Sequence, residues 1–466
     1  MTVTIREAMT DPALFGDQFG GDSWEAWRAL LAAFYGLPLT DAEAEHWNAL
    51  TGRESAPQTP HDELWLVVGR RGGKSQAAAL LAVFEAAFRD YRDRLAPGEV
   101  ATIMVLAADR KQARSVFRYI SGLFESNPML ARMVVREDRE AIELNNRTAI
   151  EVHTASFRAV RGYSVACCIS DEIAFWRSED SANPDHEIIA AIRPAMATLD
   201  GKLVALSSPY ARRGALWDAY RRNYGADSPV LVAQAASRTM NPTLPERVVS
   251  DAMERDPEAA RAEYGAEFRS DLEAFLTRET VEAVTRSEPL VLPPMRNTRY
   301  FAFVDPAGGG QDEYCLAIGH MDGERTVMDA IHARRGVPAE ITKEYAGILR
   351  DYGIKHALSD RYAGSWPSDE FAKHGITLEP SPRNKSELYV DALPSLHSGA
   401  VELPPDDRLA SQLTALVRRT SRAGRDTVDH PPGGHDDRAN AAAGVLASIR
   451  FEPAEFVIAT GIPSAM

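Results

Sequence analysis

Short apolar runs alternate with helix-length amphipathic stretches along most of this chain, and that alternation is the first guide to its architecture. At the start the pattern is purely helical. Trp24, Trp27, Leu30, Leu31 and Phe34 recur at helix-like spacing, Thr40-Asp41 opens a second helix, and Ser55 to Pro60 reads as a linker. From Leu64 strand and helix alternate. Leu64–Val68 is a short apolar run entering a glycine loop, and Ser75–Phe88 is a helix. Ala101–Ala107, Thr148–Val152, Val165–Ile169 and Lys202–Leu206 are further strands, and Lys111–Leu123 a further helix. Apolar strands separated by helices predict a parallel, doubly wound sheet.

Asn241 to Leu276 is charged and helical in pattern, and reads as a lid or closing segment. Two adjacent prolines in LVLPPMRNT (290–298) mark a boundary, after which a second α/β pattern starts. Its strands are Tyr300–Val304, Tyr314–Gly319, Thr326–Ile331 and His356–Ser359, with Asp322-Gly323 as a hairpin turn. Helices follow at Pro338–Asp351 and Asp437–Ile449. The expected organisation is a helical segment at 1–60, an α/β core at 61–210, a lid or linker at 211–289 and a second α/β domain at 290–466.

Composition changes this picture little. At 466 residues, with 45% hydrophobic and 26% charged positions, the chain has the make-up of a globular protein of two or three domains. The net charge of −15 argues weakly against a nucleic-acid partner, because local basic patches decide such binding. Candidate patches are Arg212-Arg213, Arg221-Arg222, Arg334-Arg335, and Arg418-Arg419 with Arg422 and Arg425; each alone reads equally well as a solvated helix face. Cys167, Cys168 and Cys315 lack metal-type spacing and suit a reducing cytosol. The opening MTVTIREAMTDP has no signal pattern, and the longest apolar stretch, Ala77 to Phe88, is broken by Glu85. A soluble intracellular protein without a membrane partner is expected.

Two groups of residues carry phosphate chemistry. Gly69-Arg70-Arg71-Gly72-Gly73-Lys74-Ser75 lies between a strand and a helix. Such a loop aims backbone N–H groups and a helix N-terminus at phosphate oxygens. Lys74 would reach the β/γ-phosphates of ATP and Ser75 its Mg²⁺. Val68 stands where the usual spacing has its first glycine. Downstream, the strand Val165–Ile169 delivers Asp171-Glu172, an acid for the Mg²⁺ shell and an acid to polarise water. Ser207-Ser208, at another strand tip, reads either as a γ-phosphate sensor or as a plain turn.

The second group is acidic. Asp305 ends a strand ahead of Gly308-Gly309-Gly310, Asp360 ends another, and Asp436-Asp437 opens a helix after Gly433-Gly434-His435. Carboxylates from separate elements can hold two Mg²⁺ or Mn²⁺ ions that activate water and stabilise a leaving oxygen. Each Asp alone reads equally as a cap or turn residue.

In order and spacing, GRRGGKS (69–75), SFRAVRGYSVACCISDEIAFW (156–176), LVALSSPY (203–210), FAFVDPAGGG (301–310), LSDRY (358–362) and GGHDDRANAAAG (433–444) resemble the large terminase subunit of tailed double-stranded DNA phages. The resemblance covers nearly the whole chain. It implies a P-loop (ASCE-type) packaging ATPase followed by an RNase H-like nuclease, which cuts concatemeric genomes and pumps DNA into a procapsid. Lys74 and Ser75 match the nucleotide-binding pair, Asp171 the Mg²⁺ aspartate, Glu172 the catalytic glutamate and Ser207-Ser208 the coupling motif. Asp305, Asp360 and one or both of Asp436 and Asp437 match the nuclease ligands. Arg70 matches an arginine that contacts phosphate, and Arg161 is a candidate for charge stabilisation across a subunit boundary. The implied partners are double-stranded DNA, a small terminase subunit, a portal or procapsid, and further copies of the chain in a ring, in the cytoplasm of a bacterial host. The competing expectations are a helicase-like ATPase with an inactive second domain, and a nucleotide-binding capsid or portal adaptor without catalysis.

Overall fold

Strands that are apolar on both faces must satisfy their backbones in a sheet and be covered by helices on each side. The computed structural model describes residues 3–156, 162–176, 184–269, 271–307, 312–360, 365–420, 426–431 and 434–451. It forms two units that divide between Asp271 and Leu272.

The N-terminal unit holds strands β1 (Glu63–Val68), β2 (Ala101–Ala107), β3 (Val134–Glu137), β4 (Ala141–Leu144), β5 (Thr148–Thr154), β6 (Ser164–Asp171), β7 (Lys202–Ser207) and β8 (Val230–Ala235). They lie in the order β3-β4-β5-β2-β6-β7-β1-β8. Every pairing from β5 to β8 is parallel, and β3 and β4 add an antiparallel edge. The two faces of β1 explain the double winding. Leu64, Leu66 and Val68 enter one core with Leu80, Leu81 and Phe84 of the helix Lys74–Phe88 and with Trp27 and Phe34 of the N-terminal helices. Trp65 and Val67 enter the other, with Ile188, Ile192 and Leu216. The N-terminal segment is helical as its pattern predicts. Thr4 and Thr40 each close a capping box, with Glu7 and Glu43.

Beyond 210 the structure departs from a simple lid. β8 completes the parallel sheet, so the core reaches past the span its first motifs outline. The charged segment forms the helices Glu246–Arg255 and Pro257–Glu263, whereas Leu272–Ala274 is a strand, β9, of the second unit.

That unit also contains β10 (Tyr300–Asp305), β11 (Tyr314–Asp322), β12 (Arg325–Arg334), β13 (His356–Ser359), β14 (Thr377–Pro380), β15 (Val401–Glu402), β16 (Val417–Thr420) and β17 (Asp426–Asp429). Its main sheet runs β14-β13-β10-β11-β12-β15. β10, β11 and β12 are an antiparallel meander, and β13 and β14 continue from β10 in parallel. This 3-2-1-4-5 order of the first five strands is the RNase H-like arrangement. A small sheet, β17-β16-β9, lies apart. Phe303, Cys315 and Met328 face the helices Lys385–Ser398 and Asp437–Phe451, while Ala302, Val304 and Leu316 face Ile341, Tyr345 and Leu349. The helix Asp437–Phe451 sits close because many of its buried positions are small, among them Ala439, Ala442, Ala443 and Gly444. A Cβ on Gly444 would lie 2.2 Å from the Phe303 ring, so that contact requires glycine.

Among the described residues no helix is long and apolar enough to cross a membrane.

Candidate functional site

Parallel strands deliver their following loops to one edge of the sheet, and adjacent loops there form a crevice. The register puts the N-terminal motifs at one level: Asp171 pairs with Leu206, which pairs in turn with Leu66 of β1. The glycine loop thus leaves β1 beside the tips of β7 and β6.

The loop is held by its backbone. Gly69 N–H donates to the Ala235 carbonyl (3.0 Å) and Arg70 N–H to that of Glu263. Ser237 Oγ donates to the Arg70 carbonyl (2.6 Å), Asn241 Nδ2 to that of Arg71 (2.9 Å), and Trp27 Nε1 to that of Gly72 (2.9 Å). Gly73 has φ 89°, and a Cβ there would meet the Trp27 and Trp24 rings, so glycine is required. Arg71 also takes a positive φ, 64°. The Arg70 side chain is exposed and pairs with Glu263 at 3.1 Å.

Lys74 and Ser75 open the helix, Lys74 buried and Ser75 half-buried. The Lys74 ammonium donates to the Val68 carbonyl (3.0 Å) and to Ser208 Oγ (2.8 Å), and lies 3.4 Å from Glu172 Oε1. Glu172 accepts from Ser207 Oγ (2.9 Å) and the Ser208 amide (3.2 Å). It sits at φ 50°, a left-handed conformation costing about 1–2 kcal/mol for a non-glycine residue. The bonds from the β7 tip hold it there, so Ser207-Ser208 is part of this site. Asp171 is 2% exposed, and its Oδ1 has no hydrogen-bond partner. Burial, then the neighbouring Glu172 charge, push its carboxyl up to about 7, against the pull of Lys74. A buried, unpartnered carboxylate oxygen beside a lysine and a glycine loop fits a hydrated Mg²⁺ and a nucleoside triphosphate. Arg161 lies outside the described residues.

In the second unit, Val304 pairs with Ser359, which puts Asp305 and Asp360 side by side at the ends of parallel neighbours. One amide bridges them: Asn440 Nδ2 donates to Asp305 Oδ2 and to Asp360 Oδ2, at 2.9 Å each. Asn440 Oδ1 is buried without a partner. Burial holds the Asp305 carboxyl well above its usual range; the Asn440 bond opposes this, and the charges of Asp437, Asp360 and Asp436 add to it.

Asp436 and Asp437 do not act as a pair. Asp436 is 5% exposed and accepts from Lys385 Nζ (2.9 Å) and the Tyr389 hydroxyl (2.7 Å). Asp437 accepts from the Glu313 amide (3.0 Å), and burial raises its carboxyl. Consecutive residues leave a helix start in different directions, so one of the pair is taken by the Lys385–Tyr389 cradle. Among the described residues the acidic and histidine groups close enough to share an ion are Asp312-His435-Asp437 and Asp429-His430-Asp436. Neither includes Asp305 or Asp360, which meet on Asn440 instead. Glu313 anchors the start of the helix, with Arg438 Nε at 2.8 Å and Arg408 at 2.8 Å. Two half-buried carboxylates joined by an amide, with a third one helix turn away, have the donor set for hard divalent cations.

Asn440, Lys385, Tyr389, Glu313 and Arg438 escape a reading of the sequence. The signal that could have found Asn440 is its spacing, three residues after Asp437 and so on the same helix face.

No protein-family model matches the chain, and no curated protein matches it. Among solved structures it is similar to the large terminase of bacteriophage HK97, at 16% identity over 84% of this chain and 91% of that one, TM-score 0.38. It is also similar to the large terminase of a thermophilic bacteriophage in complex with ADP, at 11% identity over 84% of this chain and 95% of that one, TM-score 0.38. A third is the large terminase nuclease from thermophilic phage G20c with bound magnesium, at 17% identity over 36% of this chain and 94% of that one, TM-score 0.32. These likenesses are distant, and the chemistry rests on the side chains described above.

Proposed function

We propose that the chain is a nucleoside triphosphatase joined to a metal-dependent nuclease. More particularly, it is a DNA-packaging motor subunit of the large terminase kind, which hydrolyses ATP to translocate duplex DNA and cuts that DNA with its second unit. One observation carries the reading: each unit gathers buried or half-buried carboxylates at strand ends, one group beside a glycine loop with lysine, the other around a bridging amide.

In the first centre, Lys74 would meet the β/γ-phosphates, Ser75 and Asp171 would hold the Mg²⁺ of the nucleotide, and Glu172 would orient the attacking water. Arg70 and the amides of the glycine loop cradle the phosphates. The bonds from Ser207 and Ser208 to Glu172 and Lys74 tie the tip of strand β7 to both residues, which supports the reading of that tip as a sensor.

In the second, Asp305, Asp360 and Asp437 would hold Mg²⁺ or Mn²⁺, and Asp436 positions the helix through Lys385 and Tyr389. Bound ions would supply an activated water and charge neutralisation at the phosphodiester. The Asn440 amide keeps Asp305 and Asp360 together, and Asp437 stands one helix turn before it. Small-subunit and portal contacts, a ring of copies and the bacterial cytoplasm belong to this reading.

The test is a pair of substitutions in the full chain, read in two assays. Glu172→Gln should abolish ATP turnover and leave Mn²⁺-dependent plasmid nicking; Asp305→Asn should do the reverse. Wild-type turnover at background, or nicking indifferent to Asp305→Asn, would sink the corresponding half.

A further inference from the structure

The helix Arg110–Glu125 has a face that neither phosphate centre uses. Its inner side is apolar, with Val116, Phe117, Ile120 and Phe124 buried. From the outer side project Arg110, Lys111, Arg114 and Arg118, all four exposed. Arg110, Arg114 and Arg118 follow one another at one-turn intervals, so the stripe is about 12 Å long at about 1.5 Å per residue.

What sets this stripe apart is the lack of acidic company. Among the described residues none of the four makes an ion pair; the one bond from their side chains joins Arg114 Nε to the Arg110 carbonyl, at 3.2 Å. Two of the arginine clusters that stand out in the sequence are neutralised in part: Arg221 pairs with Asp218 at 3.4 Å and Arg334 with Glu344 at 3.1 Å. The acids nearest the stripe are engaged or displaced. Asp109 spends its carboxylate capping the helix, on the amides of Lys111 and Gln112. Glu137 accepts from Ser121, and Glu125 lies at the far end of the helix. In a chain with 67 acidic and 52 basic residues, four adjacent cations kept clear of carboxylates call for an anionic partner.

The neighbours on that face, Ser115, Ser121 and Gly122, are small, and Tyr119 is the one exposed aromatic of the helix. Around Arg110, Lys111 and Arg114 they supply no apolar centre of the kind a protein interface buries; apolar side chains, Phe19, Trp24 and Leu123, line only a cleft bordered by Arg118 and Tyr119. A duplex carries one charge per about 1.7 Å of its axis, so a row of cations this long spans several phosphates without needing a particular sequence. We propose that this helix face is a sequence-independent contact for the phosphate backbone of duplex DNA. The proposal rests on the reading of the chain as a DNA-handling motor and adds to it a surface by which the ATPase unit grips its track.

The test uses the full chain with Arg110, Lys111, Arg114 and Arg118 each changed to Gln, which keeps helix propensity. Binding to two short duplexes of unrelated sequence is followed by fluorescence anisotropy in EDTA across a salt series. The slope of log affinity against log salt should shrink by about 3–4, near 0.9 for each lost phosphate contact, and equally for both duplexes. Basal ATP turnover should be unchanged. The four single variants, each expected to reduce the slope by about 1, keep the test open if the quadruple variant does not fold. An unchanged slope overturns the contact. So does an unchanged slope joined to altered self-association, which would make the face an interface between copies. If the wild-type chain itself binds no duplex, the motor reading fails and takes this contact with it; if the wild type binds and the variants match it, the contact alone fails.

Discussion

Replacing Asp171 by Asn should stabilise the protein at neutral and alkaline pH while abolishing ATP turnover. Burial and the Glu172 charge raise the Asp171 carboxyl from 3.8 to about 7 in the folded state. Between those values the native chain binds more protons than the unfolded one, so stability falls as pH rises through that window. The shift of about three pH units corresponds to about 4 kcal/mol of strain carried by the ionised carboxylate above pH 7. An Asn side chain removes the charge at nearly constant shape but leaves an amide to be partnered, at about 1–3 kcal/mol. A net gain of about 1–3 kcal/mol remains at about pH 8, or about 3–8 °C in the melting of the N-terminal unit. At about pH 5 the wild-type carboxyl is protonated and the gain should shrink towards zero. Thermal melts of both proteins in EDTA, without nucleotide, at the two pH values provide the assay. A variant less stable than wild type at the higher pH, or a difference that does not depend on pH, would refute the claim that an unpaired buried charge is stored at this position.

Asn440→Ala removes the amide that joins Asp305 and Asp360; Mn²⁺-dependent nicking should fall by at least tenfold and Mn²⁺ affinity, read by titration calorimetry, should weaken, with ATP turnover unchanged. Asn440→Asp should instead raise Mn²⁺ affinity by adding a carboxylate, and equal affinity in all three proteins would remove the role given to this residue. Gly444→Ala drives a methyl into the Phe303 ring; the overpacking cost of about 1–3 kcal/mol outweighs the helix-propensity gain of about 1 kcal/mol, so denaturant melts should show a less stable C-terminal unit. The companion change Phe303→Leu should restore part of that loss, and a neutral Gly444→Ala would show that the helix has room to move off the sheet.

The strands that could be read from the sequence are those buried on both faces. β1, β2, β6, β7 and β10 announce themselves as continuous apolar runs because both sides pack against neighbouring elements. β3 and β4 did not, since β3 lies largely exposed at the edge and carries Arg136 and Glu137. β8 falls inside the 211–289 stretch assigned to a lid or linker, although its side chains Leu231, Val232 and Ala233 are fully buried against the sheet. The helices Pro184–Met196 and Gly214–Asn223 were likewise passed over, each following a stretch without a strong apolar period.

Candidate site residues were legible as types and not as partners. Strand-end carboxylates and a glycine loop with lysine have recognisable chemistry. Which carboxylates meet depends on register between β10 and β13, a tertiary property. The adjacent acids Asp436 and Asp437 looked alike in sequence; only the Lys385 and Tyr389 bonds distinguish them. Asn440 carries no charge, and in the sequence only its spacing three residues after Asp437 marks it.

The most direct test of the account is the anomalous scattering of a crystal soaked with Mn²⁺ and a non-hydrolysable ATP analogue. The account places one ion beside Ser75 and Asp171 with the triphosphate on residues 69–75, and at least one more among Asp305, Asp360 and Asp437. Ions confined to other acidic groups, such as Asp429, His430 and Asp436, or a glycine loop without a triphosphate, would contradict it.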